Sequence, residues 1–223
     1  MNRLYLYIAL GAVMADSIIE LALVTNMVSW LHGTASATFS IMSNGTTFDL
    51  IGVPRNLAVD QGHSSNGAAG TAFVIVGLGG VLALWLQGRS IHRQKSSNFI
   101  YRTWLVFTVL ATVFTLATLA YVFAVTNSLK GQAIDVDLAA TLVDTRYPRD
   151  NWTPQGWFGA VLRLDLASAS ERRDVIQHLR IMHGWQYNLI PMFLLQLILT
   201  VLAVVDATEV RKWRKVESVE DYK

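Results

Sequence analysis

Two carboxylates lie inside an apolar stretch of this 223-residue chain. Asp16 and Glu20 interrupt an otherwise hydrophobic run over residues 4–31. Four positions apart on a helix, they share one face, and Ser17 adjoins them. An ionised carboxylate at the centre of a spanning helix costs roughly 2.5–3.5 kcal/mol. Both must therefore face a bundle interior, bind a proton or meet a partner. Such a pair could form a proton relay, an ion site, or an acid and base acting on a lipophilic substrate. The plainer alternative is two protonated groups, hydrogen-bonded to Thr115, Thr118, Asn188 or Gln196 of neighbouring spans. No spanning Lys or Arg is at hand to pair with them.

The histidines offer a second chemistry. Asp60 and His63, joined by His178 and His183, are candidate ligands, because imidazole and carboxylate suit zinc or copper. Their spacing matches no established metal motif, and His178 and His183, five apart, sit poorly on one helical face. The ordinary reading is of surface or interfacial histidines, and neither a metal nor a cofactor is expected. That no histidine lies inside an apolar run argues against a haem held between spanning imidazoles. The chain has no cysteine, which removes disulfides, thiolate metal sites and cysteine nucleophiles. No nucleotide fingerprint, nucleophile elbow, HExxH zinc motif or internal repeat is present.

The elements that must position these residues follow from hydropathy. Apolar residues make up 52% of the chain and charged residues 15%, against about 25% charged in soluble domains. A helix needs about 20 mostly apolar residues to cross the hydrocarbon. Four runs meet that need, over residues 4–31, 71–87, 104–125 and 187–205. This predicts an all-α membrane protein, a four-transmembrane-helix bundle forming one domain. Trp30, Trp85, Trp104, Tyr121, Trp185 and Tyr187 fall at or near the ends of these runs, where amphipathic rings favour the interface. Gly77, Gly79 and Gly80 allow a neighbouring helix to approach closely. Pro191 and Gln196 are expected to kink and cross-link the fourth span. Val13-Met14-Ala15 has the form of a signal-peptidase site, but apolar sequence resumes at Ile18, so the segment is read as a retained anchor.

Charge sets the orientation. The short loop 88–103 contains Arg89, Arg93, Lys95 and Arg102 with no acidic residue, and the tail 206–223 contains Arg211, Lys212, Arg214 and Lys215. Short basic flanks of this kind stay in the cytosol, which places both termini there and the loops 32–70 and 127–186 outside. Two N-glycosylation sequons, at Asn44 and Asn151, fall in those outer loops, and Pro154 reduces use of the second. An integral membrane protein follows.

The outer loops carry their own signals. Residues 38–42 and 46–53 have β character around Ser43-Asn44-Gly45, which is good turn chemistry, so a short hairpin is expected. The remainder, through His63-Ser64-Ser65-Asn66-Gly67, reads as a flexible linker. In the second loop Thr153-Pro154 can open a helix. Ser168 and Glu171 have capping-box spacing, ahead of an amphipathic helix that feeds into the fourth span, with Val175, Leu179 and Met182 on one face, expected at the membrane surface. Seven basic and seven acidic residues balance in that loop, so no strong field recruits a charged partner.

Residues 147–158, YPRDNWTPQGWF, and 183–191, HGWQYNLIP, resemble uncharacterised four-span membrane proteins of filamentous fungi. The resemblance covers mainly the second half of the chain. It implies an integral protein of the fungal secretory pathway or plasma membrane, but no activity and no site residues. Three functions remain open: a non-catalytic tetraspan protein organising protein partners or lipids, a small membrane-embedded enzyme using Asp16 and Glu20 on a lipophilic substrate, and a proton or ion pathway in an oligomer. Expected partners are membrane lipids, other membrane proteins or further copies of the chain, and no nucleic acid.

Overall fold

The computed structural model describes residues 3–34, 37–89 and 94–220, and the side chains within these except over 94–98 and 210–220. In chain order the elements are α1 (Leu4–Thr34), β1 (Thr38–Ser43), β2 (Thr46–Ile51), α2 (Asp60–Thr71), a π-helix (Ala72–Leu78), α3 (Gly79–Arg89), α4 (Gln94–Ser128), α5 (Val136–Thr141), α6 (Pro154–Val161) and α7 (Ala169–Glu220). Four helices are long and apolar enough to cross a membrane: Leu4–Thr34, Asp60–Arg89, Phe99–Ser128 and Ala169–Glu209.

Each helix runs further than its apolar run. Residues 60–70, expected as a linker, are helical from Asp60 onward. Their many small residues are poor helix formers, but Gln61, Gly62, Ser65, Ala68 and Ala69 are buried, and packing overrides weak propensity. The amphipathic stretch after Ser168 feeds into the fourth predicted span, as expected. It continues without a break into the fourth apolar run, through Pro191, as one 52-residue helix. Trp104 and Trp185 are buried inside the protein. Trp85 is half exposed, with the Arg89 guanidinium 4.5 Å above its ring. Arg93 and His92 of the basic loop lie outside the described residues, as do the tail side chains from Arg211 onward.

The chain divides into two compact units. The first comprises residues 1–20, 67–117 and 188–223. Its apolar core joins Leu6, Leu10 and Val13 of α1 to Val76 of the π-helix, Leu84 of α3, Trp104 of α4 and Leu199 of α7. The outward faces are apolar as well, with Ile18, Ile19, Val74, Leu82, Val106, Leu110, Val113, Ile198 and Val201 all exposed. A surface this apolar suits lipid rather than water. The π-helix has a structural use here: the Trp104 indole N–H donates to the Val76 carbonyl at 2.9 Å, taking up an acceptor of the widened turn. Gly80 gives Trp104 and Leu10 room, since a Cβ there would lie 2.8–2.9 Å from both.

The second unit comprises residues 21–66 and 118–187. The hairpin forms as expected, β1 pairing antiparallel with β2 in the register Thr38–Ile51 to Ser43–Thr46. Asn44 and Gly45 both have positive φ, 51° and 78°, the backbone an Asn-Gly hairpin turn requires. Residues 165–167 add a third chain to β1, through Met42 N–H to Asp165 O and Ala167 N–H to Ser40 O. Tyr147, Trp152, Trp157 and Phe158 fill the centre of this unit, all essentially inaccessible. The Trp157 indole donates to the Gly52 carbonyl at 2.8 Å. Thr153 caps α6 by accepting from Gly156 N–H, and Ser168 accepts from Glu171 N–H, so both helix starts legible in the sequence are present.

Candidate functional site

Two arrangements, one in each unit, hold the residues capable of chemistry. In the first unit a line of polar side chains runs through the bundle. Glu20 is fully buried, and the Asn188 side-chain amide donates to its Oε2 at 3.1 Å. Ser17 turns back to donate to the Val13 carbonyl at 2.7 Å, so it does not bridge the two carboxylates. Asp16 is half-buried, and its Oδ2 is enclosed without a hydrogen-bond partner among the described residues. Further along, Thr115 donates to Gln196 Oε1 at 3.0 Å, and Thr112 and Thr200 share a hydrogen bond of 2.8 Å. Gln196 thus cross-links α4 and α7 as its position suggested, while its Nε2 lacks an acceptor among the described residues. Of the four partners expected for the carboxylates, Asn188 reaches Glu20, Thr115 and Gln196 bind one another, and Thr118, in the second unit, has a buried hydroxyl with no partner among the described residues.

A cluster absent from the sequence reading closes one end of this unit. Asp206 is buried, accepting from the Tyr101 hydroxyl at 3.0 Å, with Arg3 Nε 3.8 Å from its other oxygen. The only signal was an acidic residue at the end of the last apolar run.

The histidines have separate fates. His178 stacks on Trp30, with ring centroids 4.4 Å apart and planes 9° from parallel. Asp174 ties the two rings together, accepting the Trp30 indole N–H at 2.8 Å and lying 3.2 Å from His178 Nδ1. His183 is exposed, its ring centroid 6.4 Å from that of Tyr187. Asp60 and His63 are exposed on α2. Among the described residues, no three His, Cys, Asp or Glu side chains come together to hold a metal ion.

No family model matches the chain, and no curated protein or solved structure matches it. What it does must be read from its own geometry.

The second arrangement is a cleft of about 730 Å³ wholly within the second unit, a size typical of small-ligand sites. One wall is the end of α1, with Val24, Met27, Val28 and Leu31. The opposite side is the chain after the hairpin, with Val53, Pro54 and Leu57, and the first turns of α2. Arg55, Arg146, His32 and His63 also line it, and no acidic residue does. Gln61 is fixed at its edge, accepting from Thr126 and donating to Gln155. The sequence reading missed this site, because Arg55 and Arg146 stand among as many or more acidic residues in their own loops, which conceals where the fold gathers the cations.

Proposed function

We propose that the chain is a non-catalytic, four-span integral membrane protein of the secretory pathway or plasma membrane, its termini cytosolic, that organises lipids and protein partners through its outer unit. The observation carrying this reading is that the two long loops, with the helix ends they join, build a folded unit with its own aromatic core and an open cleft. A loop that only connected spans would need neither. The state of Glu20 supports the same reading. An acid or base must reach its substrate, and this carboxylate is buried and held by Asn188. Likeness to the four-span proteins of filamentous fungi belongs to the same proposal.

The test is purification of tagged protein in mild detergent, with mass spectrometry of everything retained. Stoichiometric protein partners or lipids are expected. Turnover of a lipophilic substrate by the protein alone, lost in an Asp16→Asn, Glu20→Gln double variant, overturns the reading in favour of an enzyme.

One observation favours a second reading, a proton or ion pathway in an oligomer: the enclosed, unpartnered oxygen of Asp16. Flux into liposomes that is abolished by Asp16→Asn supports it, and flux unaffected by that change removes it.

A further inference from the structure

We infer that the cleft of the second unit is a binding site for a membrane lipid with an anionic headgroup, the acidic group held between Arg55 and Arg146 and the first carbons of its chain laid along α1. The inference rests on the proposed lipid-organising role and names the lipid class and the residues.

The charge pattern points to the ligand. Two arginines and two histidines line the cleft with no carboxylate among them. Both arginines are exposed, and among the described residues neither makes an ion pair. Arg149, three residues beyond Arg146, is by contrast neutralised by Asp135 at 2.7 Å. The fold spends no carboxylate on the two cations it places at the cleft.

The backbone holds those two cations near one another. Arg55 N–H donates to the Tyr147 carbonyl at 2.9 Å, Trp152 N–H to the Asn56 carbonyl at 2.9 Å, and Ala58 N–H to the Trp152 carbonyl at 2.8 Å. Residues 55–58 and 147–152 are thereby laced together. The two guanidinium stems arise from neighbouring chains of one rigid patch. Guanidinium groups present planar, paired donors suited to phosphate or carboxylate oxygens, and positions fixed in advance lower the entropy cost of binding.

The apolar wall identifies the rest of the ligand. Val24, Met27, Val28 and Leu31 belong to a helix long and apolar enough to cross a membrane. A free inorganic anion gains nothing from such a wall, whereas an acyl chain gains by removing its apolar surface against it.

The test uses full-length protein in detergent, titrated with dioctanoyl phosphatidic acid, dioctanoyl phosphatidylcholine and inorganic phosphate, with binding followed by calorimetry. Phosphatidic acid is expected to bind at least tenfold more tightly than either other probe. An Arg55→Gln, Arg146→Gln double variant is expected to lose at least tenfold of that affinity, and Arg172→Gln, which changes an exposed cation outside the cleft, to lose none. Val28→Trp, which fills the cleft without touching a charge, should weaken the lipid and leave the far-ultraviolet spectrum unchanged. Equal affinity for phosphatidylcholine, equal affinity for phosphate, or an unaltered double variant would each overturn the inference. Partners or other lipids still retained on purification would then leave the broader organising role standing.

Discussion

The carboxylate of Glu20 is held at 3.1 Å by the side-chain amide of Asn188, joining α1 to α7 inside the first unit. The pair is a polar clamp within an apolar bundle. Its removal is asymmetric, because a buried carboxyl left short of donors costs more than one never present. Asn188→Leu is expected to destabilise the protein by about 1–3 kcal/mol. A Glu20→Leu, Asn188→Leu double variant should melt closer to wild type than Asn188→Leu alone. Thermal melts in detergent measure both, and a double variant worse than the sum of the singles contradicts the clamp.

Gly52 is irreplaceable for a steric reason. An added Cβ would sit 2.0 Å from the Thr34 carbonyl oxygen, and backbone cannot yield as a side-chain end can. Its own carbonyl also anchors the Trp157 indole. Gly52→Ala should cost about 1–3 kcal/mol or more, visible as an earlier transition in tryptophan fluorescence. Gly45→Ala, strained by its φ of 78° but free of contacts, should cost about 1 kcal/mol.

Acid should loosen the second unit at α5. The Leu138 N–H that Asp135 accepts holds its carboxyl below the ordinary carboxylate range, with the charge and hydrogen bond of Arg149 acting in the same direction. A depressed folded value means the stabilisation is present above the unfolded pKa, about 3.9, and lost as pH falls through the folded one. Asp135→Ala should therefore melt earlier than wild type at pH 7, and the gap should close below pH ~4. A constant gap across that range would show that the charge is irrelevant.

Gly80 and Trp104 depend on one another. A methyl group at 80 would press on the Trp104 ring and the Leu10 side chain, so Gly80→Ala is expected to destabilise by about 1–3 kcal/mol. Adding Leu10→Ala to that variant should recover part of the loss. Trp104→Phe, which drops the N–H donated to Val76 and leaves a cavity where the rest of the indole stood, should cost about 1–3 kcal/mol.

The two sequons should differ in use. Asn44 and Thr46 are exposed at the hairpin turn, whereas Thr153 is buried as the α6 cap beside the inaccessible Trp152. In a secretory host, Thr46→Ala is expected to abolish the glycosidase-sensitive mass shift and Thr153→Ala to leave it in place. A shift from neither site would count against the proposed orientation.

Much of this fold is legible in the sequence, because hydropathy and caps act locally. Asn44-Gly45 specifies its turn, and Thr153 and Ser168 open their helices as their spacing indicates. Residues 60–70 misled, since their Gly and Ser content signals a linker and only burial reveals why they coil into helix. The polar seam was half legible: Asn188 and Gln196 stand out within an apolar run, but which of them meets Glu20 depends on how the helices pair. The cleft was not legible, because Arg55 and Arg146 are 91 positions apart in the sequence and become neighbours only through the lacing of residues 55–58 to 147–152.

The π-helix over Ala72–Leu78 bears on how such a chain tolerates change in length. A π-turn is what an α-helix becomes when an extra residue is accommodated as a bulge, leaving the flanking faces in their former places. Removing one residue from 72–78 would let the turn relax to ordinary α geometry with Gly80 still set against the Trp104 ring and Leu10. A one-residue deletion there is thus expected to cost far less than one in the regular helix Gly79–Arg89, where everything beyond the deletion would rotate by roughly 100°.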